Sequence, residues 1–257
     1  MLIIITSAEE KFNDGAKKIK FESEFFGMPC KIFVFSPNKT KDKPLLYDIS
    51  NEDFVYFLTN NIQVIKFFIP FLLSKKCFIV NKKFLQNLKS KLEMQEMIKK
   101  IGVLVPNNLP LNQIKGEIML KGKVTYPAFI KNKCHCMPMI KIKNEDAFVS
   151  CFKKIKKPNE WYVEENVTDS YCSLQKFYFT FDKVASRGNI TRKINKQIIT
   201  ALRDISKILK LDTFSADFIV KEYSKVFWCI DVNPASAFFN CNKARKNFIK
   251  LLGRTFF

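Results

Sequence analysis

The apolar positions of the chain follow two periods that alternate along its first third. Leu2-Ile3-Ile4-Ile5-Thr6 is an unbroken, largely β-branched run, the pattern of a strand buried on both faces of a parallel sheet. Residues 7–26 read as a helix that Gly27 ends, although Asn13-Asp14-Gly15 is placed to delay its start. Cys30 to Phe35 is a second extended run closed by Ser36-Pro37, so strand, helix and strand make a βαβ unit. A short strand over 54–59, a helix over 62–73 and a strand over 77–80 complete a small open α/β region.

The pattern then changes. A helix is predicted over 87–101, where lysines separate Leu88, Leu92, Met94, Met97 and Ile98; Gly102 stops it and Val103 to Pro106 leaves in extended form. Short strands are expected at 117–120, 128–131, 139–142 and 161–164, with a helix over 145–155. Strands over 174–181 and 183–186, a long helix over 195–209, a hairpin of 213–220 and 225–232, and a helix over 244–252 follow. The class is α/β at the front, turning α+β in the carboxyl-terminal part.

Composition narrows the function classes. At 257 residues, 47% hydrophobic and 14% aromatic, the chain can bury a core and is not of disordered type. The longest apolar stretch, Phe67 to Leu73, is broken by Pro70 and is far too short for a bilayer. No basic segment precedes the opening isoleucines and Glu9-Glu10 follows soon after, so no signal peptide is expected and the cytoplasm is the expected location. The eight cysteines are spread too thinly for a disulfide framework and read as reduced thiols. Cys134-His135-Cys136 offers at most three metal ligands at cramped spacing, and no second cluster completes a tetrahedral zinc site.

The net charge of +20 raises the question of nucleic acid. Its carriers are mostly lysines, with arginine only at Arg187, Arg192, Arg203, Arg245 and Arg254, and specific base or phosphate contacts favour arginine forks. The lysines are therefore read chiefly as solvated faces. Any nucleic-acid binding is expected to be non-specific, and a basic pocket for an anionic substrate stays open.

Candidate chemistry concentrates in the final hairpin. Asp217 lies in the apolar run Phe214 to Val220, and Asp231 follows another, Val226 to Ile230, with Asn233 two residues on. Residues i and i+2 of a strand share a face, and a turn near residue 224 brings Asp217 beside them. Two carboxylates and an amide oxygen suit a hard cation such as magnesium, completed by substrate phosphates. By spacing alone, an ordinary edge-strand carboxylate and a turn at Asn233-Pro234 explain the same residues equally well.

Asp217, a hairpin and Asp231-Val-Asn233-Pro234 resemble the signature of the ATP-grasp superfamily, nearest in flavour to RimK-like glutamate ligases. Upstream segments resemble that superfamily in the same order: Lys91 opening a helix that leads through Gly102 to Pro106, Tyr126-Pro127-Ala-Phe-Ile-Lys131, Tyr162-Val-Glu164-Glu165-Asn166, and Arg187-Gly-Asn189. The resemblance covers roughly residues 88 to 240. It implies an ATP-grasp fold divided as a leading α/β domain over 1–86, a central subdomain over 87–163 and a carboxyl-terminal subdomain over 164–257.

It also implies roles. Lys91 and Lys131 would neutralise ATP phosphates; Glu164, Glu165 and Asn166 would line the adenine pocket, with Asn189 near the phosphates. Asp217, Asp231 and Asn233 would hold Mg2+, and Arg187 would stabilise the transferred phosphoryl group. The implied activity is an ATP-dependent carboxylate–amine ligase acting through an acyl phosphate on amino-acid or peptide substrates. A non-catalytic nucleotide-binding protein and a small-molecule kinase similar to the inositol phosphate kinases are the alternatives. The chain departs from the superfamily in loop 133–139, which has no glycine, in Leu174 where many relatives carry an acidic ribose ligand, and in a shortened stretch between hinge and Asp217.

Overall fold

The structure is a computed structural model, and it describes residues 1–7, 10–35, 49–114, 117–120, 122–133, 139–187, 192–221, 223–236, 238 and 241–254. By internal contacts the chain forms two units: Met1–Leu88 with Gln175–Ala216 and Val232–Phe257, and Lys89–Leu174 with Asp217–Asp231.

The first unit opens on a parallel sheet in the order β2-β1-β3-β4, made of β1 (Leu2–Ser7), β2 (Cys30–Phe35), β3 (Phe54–Leu58) and β4 (Phe78–Ile79). All six residues of β1 are buried, as its β-branched run predicts for a central strand. Helix α1 (Glu10–Phe25) runs straight through Asn13-Asp14-Gly15, because the stripe Phe12, Ala16 and Ile19 is buried in the core and outweighs the local turn signal. Helix α2 (Ile62–Ser74) starts at Asn61, whose side chain accepts from the amides of Gln63 and Val64, and contains Pro70. A short helix, α3 (Lys82–Leu85), follows β4 and is not signalled by the sequence pattern.

A second sheet is ordered β11-β10-β12-β13, from β10 (Cys172–Thr180), β11 (Lys183–Arg187), β12 (Thr213–Lys221) and β13 (Val226–Asn233); of it the first unit holds β11, most of β10, the start of β12 and the end of β13. It also holds α6 (Arg192–Leu209) and α7 (Asn242–Arg254). One apolar core joins Leu2, Ile4 and Tyr56 of the first sheet to Tyr178 and Ala185 of the second and to Phe248, Ile249 and Leu252 of α7.

Asn81, 3% exposed and in the left-handed region at φ 61°, is a buried connector within this unit. Its side-chain oxygen accepts from the amides of Asp212 (2.7 Å) and Thr213 (2.9 Å), and its amide nitrogen donates to the carbonyls of Thr213 (2.7 Å) and Pro234 (3.1 Å). Asn81→Asp retains the two acceptor bonds and tolerates the backbone, but loses both donors and sets a carboxylate against two carbonyls. A loss of about 2 kcal/mol is expected in urea unfolding; wild-type stability in this variant would deny the connector its weight.

The second unit is built on an antiparallel sheet in the order β6-β5-β9-β7-β8: β5 (Asn108–Ile114), β6 (Glu117–Leu120), β7 (Ala128–Asn132), β8 (Ile140–Ile142) and β9 (Trp161–Glu165). Ala128 and Ile130 of β7 and Trp161 and Val163 of β9 point into one core with Leu111, Ile142 and Phe148, the last from α5 (Glu145–Phe152). Strand alternation leaves Lys131, Tyr162 and Glu164 on the opposite face. Helix α4 (Lys91–Lys100) begins four residues later than the pattern predicts, because Ser90 and Glu93 form a reciprocal capping box.

Candidate active site

Within the second unit the sheet face opposite the core becomes a polar cluster. Phe129 of β7 pairs with Glu164 of β9, which places Lys131 diagonally across from Glu164 on the same face. Lys131 Nζ donates to Glu164 Oε1 at 2.5 Å, and the two side chains are 12% and 3% exposed. Helix α4 brings a second cation: Lys91 Nζ lies 3.1 Å from Asp231 Oδ1 of β13.

Gln95 links the two pairs. It stands one turn after Lys91, between Met94 and Ile98 on the buried stripe of α4. Its Nε2 donates to Glu164 Oε2 (3.1 Å) and to the carbonyl of Ile230 (3.3 Å), while its Oε1 accepts from Asn108 Nδ2 (2.9 Å). Both oxygens of Glu164 are therefore held, one by Lys131 and one by Gln95. Burial pushes the Glu164 carboxyl above its ordinary range, Lys131 and Gln95 pull it back, and the Asp231 charge adds to the rise.

Cys229 reports the same negative field. Burial is the main cause of its raised thiol pKa, and the charges of Asp231, Asp217 and Glu164 raise it further, so three carboxylates act on one buried sulfur. Tyr162 is raised too, first by burial and then by Glu164 and Asp231. Among the described residues, no three His, Cys, Asp or Glu side chains are grouped to hold a metal ion by themselves.

The remaining predicted residues are placed as follows. Glu165 is turned to the β5 entry, with its carboxylate accepting from the backbone and side-chain amides of Asn107, each at 2.9 Å. Asn166 Oδ1 accepts from the amide and hydroxyl of Thr168, closing a local turn. In the first unit, Asn233 Oδ1 accepts from the Ala235 amide at 3.0 Å. Arg187 ends β11, paired with Lys176; its side chain, Asn189 and the Cys134-His135-Cys136 loop lie outside the described residues.

No family model matches the sequence, and no curated protein matches it. The fold does have solved counterparts. The macrocyclase MdnC from Microcystis aeruginosa, bound with the precursor peptide MdnA, superposes with a TM-score of 0.69 at 11% identity over 99% of this chain and 100% of that one. D-alanine–D-alanine ligase from Bacillus anthracis, complexed with ATP, gives a TM-score of 0.72 at 11% identity over 98% and 94% of the two chains. N5-carboxyaminoimidazole ribonucleotide synthetase from Thermus thermophilus gives 0.67 at 12% identity over 95% and 78%. The chain has the ATP-grasp fold. Among the described residues, no helix is long and apolar enough to cross a membrane.

Proposed function

We propose that the chain is an ATP- and magnesium-dependent carboxylate–amine ligase working through an acyl phosphate on an amino-acid or peptide substrate. The observation that carries this reading is the pair of lysine–carboxylate contacts, Lys91–Asp231 and Lys131–Glu164, joined through Gln95 on the polar face of the second unit. A magnesium nucleotide brings both signs of charge, so its phosphates can take over the lysines while its metal takes over the carboxylate of Asp231. ATP supplies the phosphoryl group that makes the carboxylate electrophilic.

Asp217 and Asp231, both in the second unit, offer the hard oxygens. Glu164 holds Lys131 on that face of the sheet. The peptide and amino-acid class is taken from the neighbours, one a macrocyclase bound with a precursor peptide and another a D-alanine ligase.

Hydroxylamine tests the reaction class, since it traps an acyl phosphate as a hydroxamate. With MgATP and a panel of amino acids and short peptides, hydroxamate is expected from at least one carboxylate. Accumulation of a phosphorylated product inert to hydroxylamine, or MgATP binding with no hydroxamate from the panel, would sink the ligase reading. A separate binding measurement tests the lysines. Lys91→Ala is expected to weaken MgATP by about 1–3 kcal/mol, whereas the exposed Lys99→Ala on the same helix should change it little. Equal losses would reduce both to bulk charge.

A further inference from the structure

Five lysines, Lys76, Lys82, Lys83, Lys207 and Lys210, line one cleft of about 530 Å3 in the first unit. Every lining residue belongs to that unit, and none is among the residues proposed to bind nucleotide. The lining runs along the short strand β4 from end to end, with Lys76 ahead of it and Lys82 and Lys83 after it.

Two local features bear on its charge. Helices α2 and α6 both finish at the cleft in a left-handed lysine, Lys76 and Lys210, each at φ 57°, a conformation that side chains other than glycine, asparagine and aspartate disfavour. Each helix end contributes about half a negative charge. Asp212, the only acidic residue lining the cleft among the described residues, accepts from the Asn81 backbone amide at 2.7 Å, and Asp204 stands 3.8 Å from Lys207 outside the lining. Even with all of these counted, the lysines leave an excess of about two positive charges. Helix-end compensation therefore does not account for them.

The volume falls in the range of small-molecule sites, roughly 300–1,000 Å3, and is too small for a nucleic-acid duplex. Ammonium groups on flexible stems neutralise phosphate as point charges and do not demand the planar geometry an arginine fork reads. We propose that this cleft is a second ligand site, which binds a multiply phosphorylated small molecule. The proposal does not depend on the ligase reading.

Inorganic tripolyphosphate is the probe, titrated calorimetrically into the full chain at near-physiological salt. Saturable binding with one site in the cleft is expected. Lys83→Gln combined with Lys210→Gln should weaken it about tenfold or more, while the charge-matched pair Lys17→Gln with Lys243→Gln should change it less than about twofold. Equal weakening by the two pairs would reduce the effect to net charge and overturn the site. Tripolyphosphate also resembles the phosphate chain of a nucleotide, so Lys91→Ala is run in parallel. Binding lost in that variant but kept in the cleft pair would assign the ligand to the second unit and overturn the proposal. Citrate separates phosphate from charge in general, and an affinity equal to that of tripolyphosphate would overturn the phosphate class.

Discussion

Replacing Lys131 with alanine is expected to cost about 3–5 kcal/mol of stability, the range for breaking a buried ion pair by removing one partner. The Glu164 carboxylate would stay behind, 3% exposed, with only the Gln95 amide to hold it. The loss should depend on pH. Because burial raises the folded-state pKa of Glu164, the folded chain binds this proton more readily than the unfolded chain. Its contribution is thus most favourable at low pH and is lost as pH rises from the ordinary carboxylate range through the raised value. Lys131→Ala removes two of the influences that pull the pKa down, so the window widens upward and the variant should regain stability on mild acidification. Lys131→Met together with Glu164→Gln removes both charges and retains an amide for Gln95 to bind, and should recover most of the loss without recovering nucleotide affinity. Urea unfolding at two pH values measures all of this. A single variant as stable as the parent at both would show that the pair is not buried in solution.

Asp231→Asn has the opposite profile. Its side chain is 29% exposed at the surface of the polar cluster, so the lost contact with Lys91 should cost at most about 1 kcal/mol of stability. Turnover should fall by about a thousandfold, the scale of removing one preorganised electrostatic contact to a developing charge. Magnesium affinity should fall with it, because an amide offers the same shape with one charge less. Magnesium-dependent turnover at the parent rate would remove Asp231 from the metal site.

The candidate residues that the sequence marks out share a physical signature. Lys91 and Lys131 open a capped helix and close an alternating strand, and Asp217 and Asp231 interrupt or end apolar runs, so each stands out against its neighbours. Gln95, Asn81 and Asn108 do not stand out. All three are uncharged amides, and the partners of two lie far along the chain, 69 residues for Gln95 to Glu164 and 132 for Asn81 to Thr213, pairs that no local period encodes. One signal was available: Gln95 is a polar residue on the stripe that Met94 and Ile98 make apolar, and a buried amide needs partners. Strand β5 was missed for a different reason. Pro106 and Pro110 with Asn107 and Asn108 spell a loop, yet the segment pairs with β9 through Asn108, Leu109 and Pro110. The predicted start of α4 at Asn87 followed the apolar pattern through Leu88, whereas the capping box at Ser90 decides where the helix begins.

Cys229 has a consequence for how this chain can be watched. Thiol-labelling reagents attack the thiolate, and this sulfur is 1% exposed, with burial and three neighbouring carboxylates all favouring its proton. Alkylation at this position must then wait until β13 parts from its surroundings, so the labelling rate becomes a clock for local opening of the strand that carries Asp231. A cation settling on those carboxylates would pull the thiol pKa down yet hold the strand closed. If closure dominates, the clock slows on adding magnesium nucleotide, a readout of occupancy that needs neither a known substrate nor turnover.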